Sequence, residues 1–160
     1  MSVGPVEFAS ALSKVPAPVA VVTTVDERGR RWGFTGSAFC SASLDPPLVL
    51  VCLAKTATTH EAFRSADRYL VNVLGEHQTD VALRFARSGV DRFSADDMVP
   101  CELGLPGLLT AAARLACSVH QLVDAGDHTI LIGLVEATYS VAHTPLTYWN
   151  RSFTRPVGLA

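Results

Sequence analysis

Charge is scarce in this chain. Only 18% of its 160 residues are charged, the formal net charge is -2, and no basic run occurs. A nucleic-acid binder would carry a basic patch or stripe, so that class is excluded as a partner. Lysine is nearly absent, with Lys14 and Lys55 alone. Long apolar runs are missing too. None approaches the ~20 residues that a membrane helix needs, and no membrane association is expected. The first residues lack a charged segment followed by an apolar one, so no secretory signal is read there. The four cysteines, Cys40, Cys52, Cys101 and Cys117, form no C-x-x-C pair, which removes the usual zinc and redox-disulfide motifs. Three of them lie in apolar runs and are expected to be buried, reduced thiols. Together these absences predict a soluble, cytoplasmic protein. G-x-G-x-x-G, P-loop, H-E-x-x-H and G-x-S-x-G motifs are all lacking. His60, His77, His120 and His143 are scattered without metal-ligand spacing, so no metal site is expected.

What is present is apolar. Hydrophobic residues make up 49% of the chain, enough for a real core in one domain, read as residues 1–160. So thin a polar surface predicts that a second subunit covers part of it. Val6 to Val15 has helical spacing and stops at Pro16 and Pro18. Strands are read at Val19–Val25, Trp32–Ser43, Leu48–Leu53 and Tyr69–Leu74, with a turn at Asp26–Arg30. Helices are read at Thr59–Ala66 and Glu76–Arg87. Ser88 to Leu109 reads as loop, with Asp96-Asp97 solvated. Ala113–Val123 and His128–Tyr139 read as long strands joined at Asp124-Ala125-Gly126-Asp127 into a hairpin. A last strand is read around Thr147–Phe153. This order is mainly β with a few short helices, which predicts a closed or nearly closed antiparallel barrel. A doubly wound sheet would need a helix after nearly every strand.

Three segments could carry chemistry. In Gly33-Phe-Thr-Gly-Ser-Ala-Phe-Cys-Ser-Ala-Ser43, strand alternation puts Thr35, Ser37, Phe39, Ser41 and Ser43 on one face. Phe34, Gly36, Ala38, Cys40 and Ala42 fall on the other. A strand with so few large side chains packs poorly unless a flat ligand lies against its backbone. The plain alternative is an edge strand whose hydroxyls face water. The second segment, Ala54-Lys55-Thr56-Ala57-Thr58-Thr59, offers an ammonium, three hydroxyls and N–H groups suited to a phosphate. Its alternative is ordinary helix capping by Thr58 or Thr59. The third is Gly126-Asp127-His128-Thr129 at the hairpin tip, where spacing alone leaves His128 a solvated turn residue.

In this order and spacing the segments resemble the short-chain flavin reductases. They are joined by Val15-Pro-Ala-Pro-Val-Ala-Val-Val-Thr-Thr, Pro46-Pro47-Leu, Val71-Asn72-Val73-Leu74 and Asp91-Arg92-Phe93. The resemblance runs from about Phe8 to Phe153. It implies a six-stranded antiparallel split β-barrel in a homodimer, with FAD or FMN held near the subunit interface. NADH, or NADPH, would be the electron donor. Carried over by position, flavin would meet Thr35, Gly36, Ser37, Ala38, Cys40 and Ser41, and its phosphate end Ala54, Lys55, Thr56, Thr58 and Thr59. Arg84, Phe85, Arg92 and Phe93 would close the pocket. His128, with Asp127 and Tyr148, would meet the nicotinamide nucleotide. Hydride would pass directly between the cofactors, so no catalytic acid or base is expected. Reduced flavin would feed a partner monooxygenase. The rival readings are a flavin-binding protein without turnover and an FMN-dependent reductase or oxidase of a small organic substrate.

Overall fold

The computed structural model describes all residues from Met1 to Ala160. The chain runs from α1 (Pro5–Leu12) through β1 (Ala17–Pro18), β2 (Ala20–Val25), β3 (Arg31–Gly36), β4 (Phe39–Ser43) and β5 (Leu48–Ala54). Then come α2 (His60–Arg64), β6 (Arg68–Val73) and α3 (Thr79–Ala86). Two-residue strands β7 (Val99–Pro100) and β8 (Pro106–Gly107) precede the long β9 (Ala113–Ala125) and β10 (His128–Ser140). The short strands β11 (Thr147–Trp149) and β12 (Ser152–Thr154) follow.

Seven strands form one antiparallel sheet in the order β3-β2-β6-β9-β10-β5-β4. Its two outermost strands, β3 and β4, are neighbours in sequence. The sheet therefore returns on itself through Ser37 and Ala38. With β3 and β4 taken as one bent strand, the count is the six of the expected split barrel.

That bend corrects one expectation. Trp32–Ser43 is not a single strand, because its halves pair on opposite sides: β3 with β2, and β4 with β5. The break also resets the alternation. Phe34 and Phe39 were assigned to opposite faces, yet both pack into one core. Other boundaries move less. The helix read at Thr59–Ala66 contracts to His60–Arg64, and that read at Glu76–Arg87 to Thr79–Ala86. The strand read at Thr147–Phe153 is a hairpin, with Asn150 and Arg151 at positive φ in its turn. The cysteines also divide. Cys117 is buried, and burial pushes its thiol up to about 12. Cys52 and Cys101 are half-buried, Cys40 is exposed, and all four are free.

Strand β2 shows how the sequence builds the interior. It is buried on both faces, and period-two alternation sends its side chains into two cores. Val21 joins Val81, Ala82 and Phe85 of α3. Val22 joins Phe34, Val51, Tyr69 and Leu131 inside the barrel. Each such side chain contributes about 1.5–3 kcal/mol on burial. The polar residues of this layer are satisfied: Thr23 Oγ1 donates to Pro106 O at 2.6 Å and Thr24 Oγ1 to Arg68 O at 2.7 Å. Gly133 on β10 is required by close approach. A Cβ there would overlap the Tyr69 hydroxyl and lie 2.7 Å from Cys117 Cβ. On β9, the buried Arg114 guanidinium donates through Nε and Nη2 to the Glu102 carboxylate, each at 2.8 Å. This holds the Glu102 carboxyl below the usual carboxylate range.

Helix α1 buries no residue. It exposes Val6, Phe8 and Leu12. The turn after it is tied down by Trp149 Nε1 donating to Lys14 O at 3.2 Å and Asn150 N donating to Ser13 O at 2.9 Å. No helix is long and apolar enough to cross a membrane.

Candidate functional site: a cleft at the strand break

The bend between β3 and β4 opens onto a cleft of about 440 Å³. Thr35, Gly36, Ser37 and Ala38 form one wall, and Ala54, Thr56 and Thr58 another. Phe85 and Arg92 border it from α3 and the loop beyond, and His128 from the hairpin tip. Antiparallel pairing explains the convergence. The β5–β10 register sets His128 opposite Ala54, so the hairpin tip stands beside the segment that follows β5. A second link reinforces this: Lys55 N donates to Asp127 O at 2.9 Å.

The walls carry spare backbone donors. The N–H groups of Ser37 and Ala38 make no hydrogen bond within the chain, while Ala38 O accepts from Cys52 N at 3.0 Å. The N–H groups of Thr56, Thr58 and Thr59 are equally uncommitted. Thr59, expected at this wall, does not border the cleft: it is 3% exposed and its Oγ1 is buried without a partner. Buried polar atoms are rarely orphaned in a finished structure. Small side chains and free backbone donors fit a flat ring with an anionic tail.

Other expected residues sit elsewhere or do different work. Thr35 Oγ1 donates to Ala82 O at 2.6 Å, so its hydroxyl braces α3 against β3. Lys55 points to the hairpin, where Nζ donates to Gly126 O at 2.7 Å and pairs with Asp124. It lies outside the cleft lining. Cys40 and Ser41 are on the exposed outer strand β4, also outside it. Arg84 is committed to the loop that follows α3. Its Nη2 donates to both Asp97 oxygens at 2.7 and 2.6 Å and its Nε to Arg92 O at 2.9 Å. Asp97 is thus a structural anchor, not a solvated loop residue. Phe93 is buried and packs edge-on against Phe85, with ring centres 5.1 Å apart. Tyr148 pairs with Ala17 in the small sheet and stacks edge-on against Phe153. It does not border the cleft.

At the tip, His128 is half-exposed and its Nδ1 lies 2.7 Å from Asp127 Oδ1. The hydrogen bond from His128 holds the Asp127 carboxyl below its ordinary value. His60, set aside from sequence, places Nε2 2.9 Å from the buried Thr129 Oγ1 and props the base of the tip. Sequence reasoning also missed Phe34, Cys52, Leu53, Ala86 and Ser88 in the lining. For Cys52 a signal existed: it shares a strand face with Ala54, two residues on.

A larger hollow of about 980 Å³ lies between the β2–β3 turn and α2. Its Asp26 carboxylate is already spent on Trp32 Nε1 and on the N–H groups of Arg28 and Arg30. The smaller cleft, with its free donors, is the better site.

Residues 12–156 match the flavin reductase like domain. The chain belongs to that family. Among its relatives, the NADH:riboflavin 5'-phosphate oxidoreductase of Streptomyces pristinaespiralis is 41% identical over 158 residues, covering 97% of this chain and 90% of the relative. The stachydrine N-demethylase reductase subunit Stc3 of Rhizobium meliloti (strain 1021) is 40% identical over 146 residues, or 91% of this chain. The chain spans 64% of that subunit's length. The NADH:FAD oxidoreductase SgcE6 of Streptomyces globisporus C-1027, solved with NAD and FAD fragments, superposes with a TM-score of 0.90 at 33% identity. That match covers 98% of this chain and 97% of the other.

Proposed function

We propose that residues 1–160 act as one domain, an NAD(P)H:flavin oxidoreductase that reduces FAD or FMN with NADH or NADPH. The observation that carries this reading is the single cleft in which spare backbone donors face a hairpin-tip histidine. When bound, a nicotinamide would supply a hydride and a flavin would accept it. The chain's own residues bind and align. The N–H groups of Ser37 and Ala38 donate to the polar edge of the flavin ring, where charge builds on reduction. Gly36, Ala38 and Ala54 leave room for a flat ring. The N–H groups of Thr56 and Thr58 receive the phosphate end. Phe85 and Arg92 bound the pocket, while Arg84 and Phe93 brace that side. His128, held by Asp127, orients the nicotinamide nucleotide so that donor and acceptor atoms approach within about 3–3.5 Å. No side chain needs to move a proton.

The relatives support this chemistry, since two of them carry NADH and a flavin in their names. The reductase component of a flavin-dependent trigonelline monooxygenase is 39% identical over 150 residues, which supports a partner monooxygenase that receives the reduced flavin. The bare apolar side chains of α1 and the exposed β4 support a homodimer. A cytoplasmic setting suits the free thiols.

Loss of the reduced-nicotinamide absorbance, with free FAD or FMN and no other substrate, tests the reading. Turnover with either flavin is expected. Flavin binding without turnover would indicate a storage protein. Turnover only after an organic acceptor is added would indicate the other rival. Either result overturns the proposal.

A further inference from the structure

A second cleft, of about 760 Å³, adjoins the first and shares Thr58 and Arg92 with it. Its lining includes Arg30, Arg31, Trp32 and Asp91. Three guanidinium groups therefore face one carboxylate, and Asp91 already accepts from Phe93 N at 3.0 Å. None of the three arginines is in an ion pair. Each is nonetheless held in place. Arg30 lies over the Trp32 ring at 4.1 Å and Arg31 over the Phe93 ring at 4.7 Å. Arg92 donates through Nη1 to Gly33 O at 2.7 Å and through Nε to Arg87 O at 2.9 Å.

Unpaired arginines fixed on aromatic rings are suited to a phosphate. The guanidinium fork matches its oxygens, and the ring contact removes much of the ordering cost on binding. Both clefts fall within the ~300–1,000 Å³ of small-molecule sites. A flavin mononucleotide fills the first through its ring and single phosphate. A dinucleotide adds a second phosphate and an adenosine, which must leave the first cleft beside Thr58. The arginine cleft begins there.

We propose that the Arg30–Arg31–Arg92 cleft receives the adenosine-phosphate half of FAD, so that this chain prefers FAD to FMN. The inference rests on the flavin reading above for the first cleft. Arg30 and Arg31 set flavin specificity, and the ring binds the same way in both flavins.

The test is calorimetric titration of the protein with FAD and with FMN, before and after Arg30→Gln/Arg31→Gln. The wild type binds FAD at least about tenfold more tightly than FMN, a gap of about 1.4 kcal/mol. In the double variant the FAD dissociation constant rises about tenfold, and FMN binding and FMN-supported NADH oxidation do not change. Equal wild-type affinities for the two flavins overturn the proposal without any variant. So does an equal loss for FAD and FMN, which would place the flavin's first phosphate among the arginines. A rise in KM for NADPH alone would assign the cleft to the 2'-phosphate of the donor and also overturn it. Absence of turnover with either flavin refutes the oxidoreductase reading instead, and the FAD and FMN titrations still decide the location of the adenosine half.

Discussion

On the proposed reading, the two sides of the cleft recognise ligands by different means. The wall at Ser37–Ala38 and Thr56–Thr58 presents backbone N–H groups, which almost any side chain at those positions would leave in place. The hairpin tip works through one imidazole, His128, held by one carboxylate. The first side is protected from mutation by the nature of its donors. The second depends on residue identity.

The largest effect should come from filling the backbone-lined side. Ala38 is exposed and small, so Ala38→Trp should leave the melting temperature within a few degrees. It should lower kcat/KM for flavin on the order of 100-fold, about 2.7 kcal/mol. Unchanged flavin kinetics in that variant would mean that the ring binds elsewhere. At the tip, His128→Ala should raise KM for NADH about tenfold, as expected for one lost hydrogen bond to an ionised or polar group. Its flavin dissociation constant should not move. Parallel losses for donor and acceptor would erase the distinction between the sides.

A third test separates the site from the scaffold. The Glu102 carboxyl is depressed in the folded state by Arg114. Its contribution to stability is therefore complete above the usual carboxylate range and is lost as pH falls through the depressed value. Thermal melts should show an acid-side decline that Glu102→Gln flattens, with flavin binding at neutral pH unaltered. The smallest effect is expected for Ser37→Ala, which keeps the N–H and removes only the hydroxyl. Flavin affinity should change less than about threefold. A tenfold loss would show that the hydroxyl itself is a ligand.

The same contrast governs what could be read from sequence. Sequence patterns located the long strands, since β-branched runs such as Val19–Val25 have few other uses, and missed the two-residue strands β1, β7 and β8. The bend at Ser37–Ala38 was marked only by Gly36 just before it, a signal that an uninterrupted strand with a bulge would also give. The segment offers both hydroxyls and peptide N–H groups to a ligand, and spacing alone does not rank them. Thr35 turned out to brace α3, and the spare donors are peptide N–H groups that no sequence pattern marks. Lys55 was read as a phosphate ligand because ammonium and phosphate attract, yet its chain folds across to Gly126 and Asp124. Long-range pairing of that kind is fixed by the β5–β10 register, which local spacing cannot supply. Arg84 was placed near the right loop and given the wrong task, for the same reason.

The clasp between Lys55 and residues 124–127 has a thermodynamic consequence. The segment proposed to hold the acceptor and the tip proposed to hold the donor share three tethers: Lys55 N to Asp127 O, Lys55 Nζ to Gly126 O, and the pair with Asp124. Any ordering that flavin imposes on Thr56–Thr59 is ordering that the hairpin tip no longer has to undergo. By linkage, whatever factor flavin adds to the affinity for nicotinamide, nicotinamide returns to flavin in equal measure.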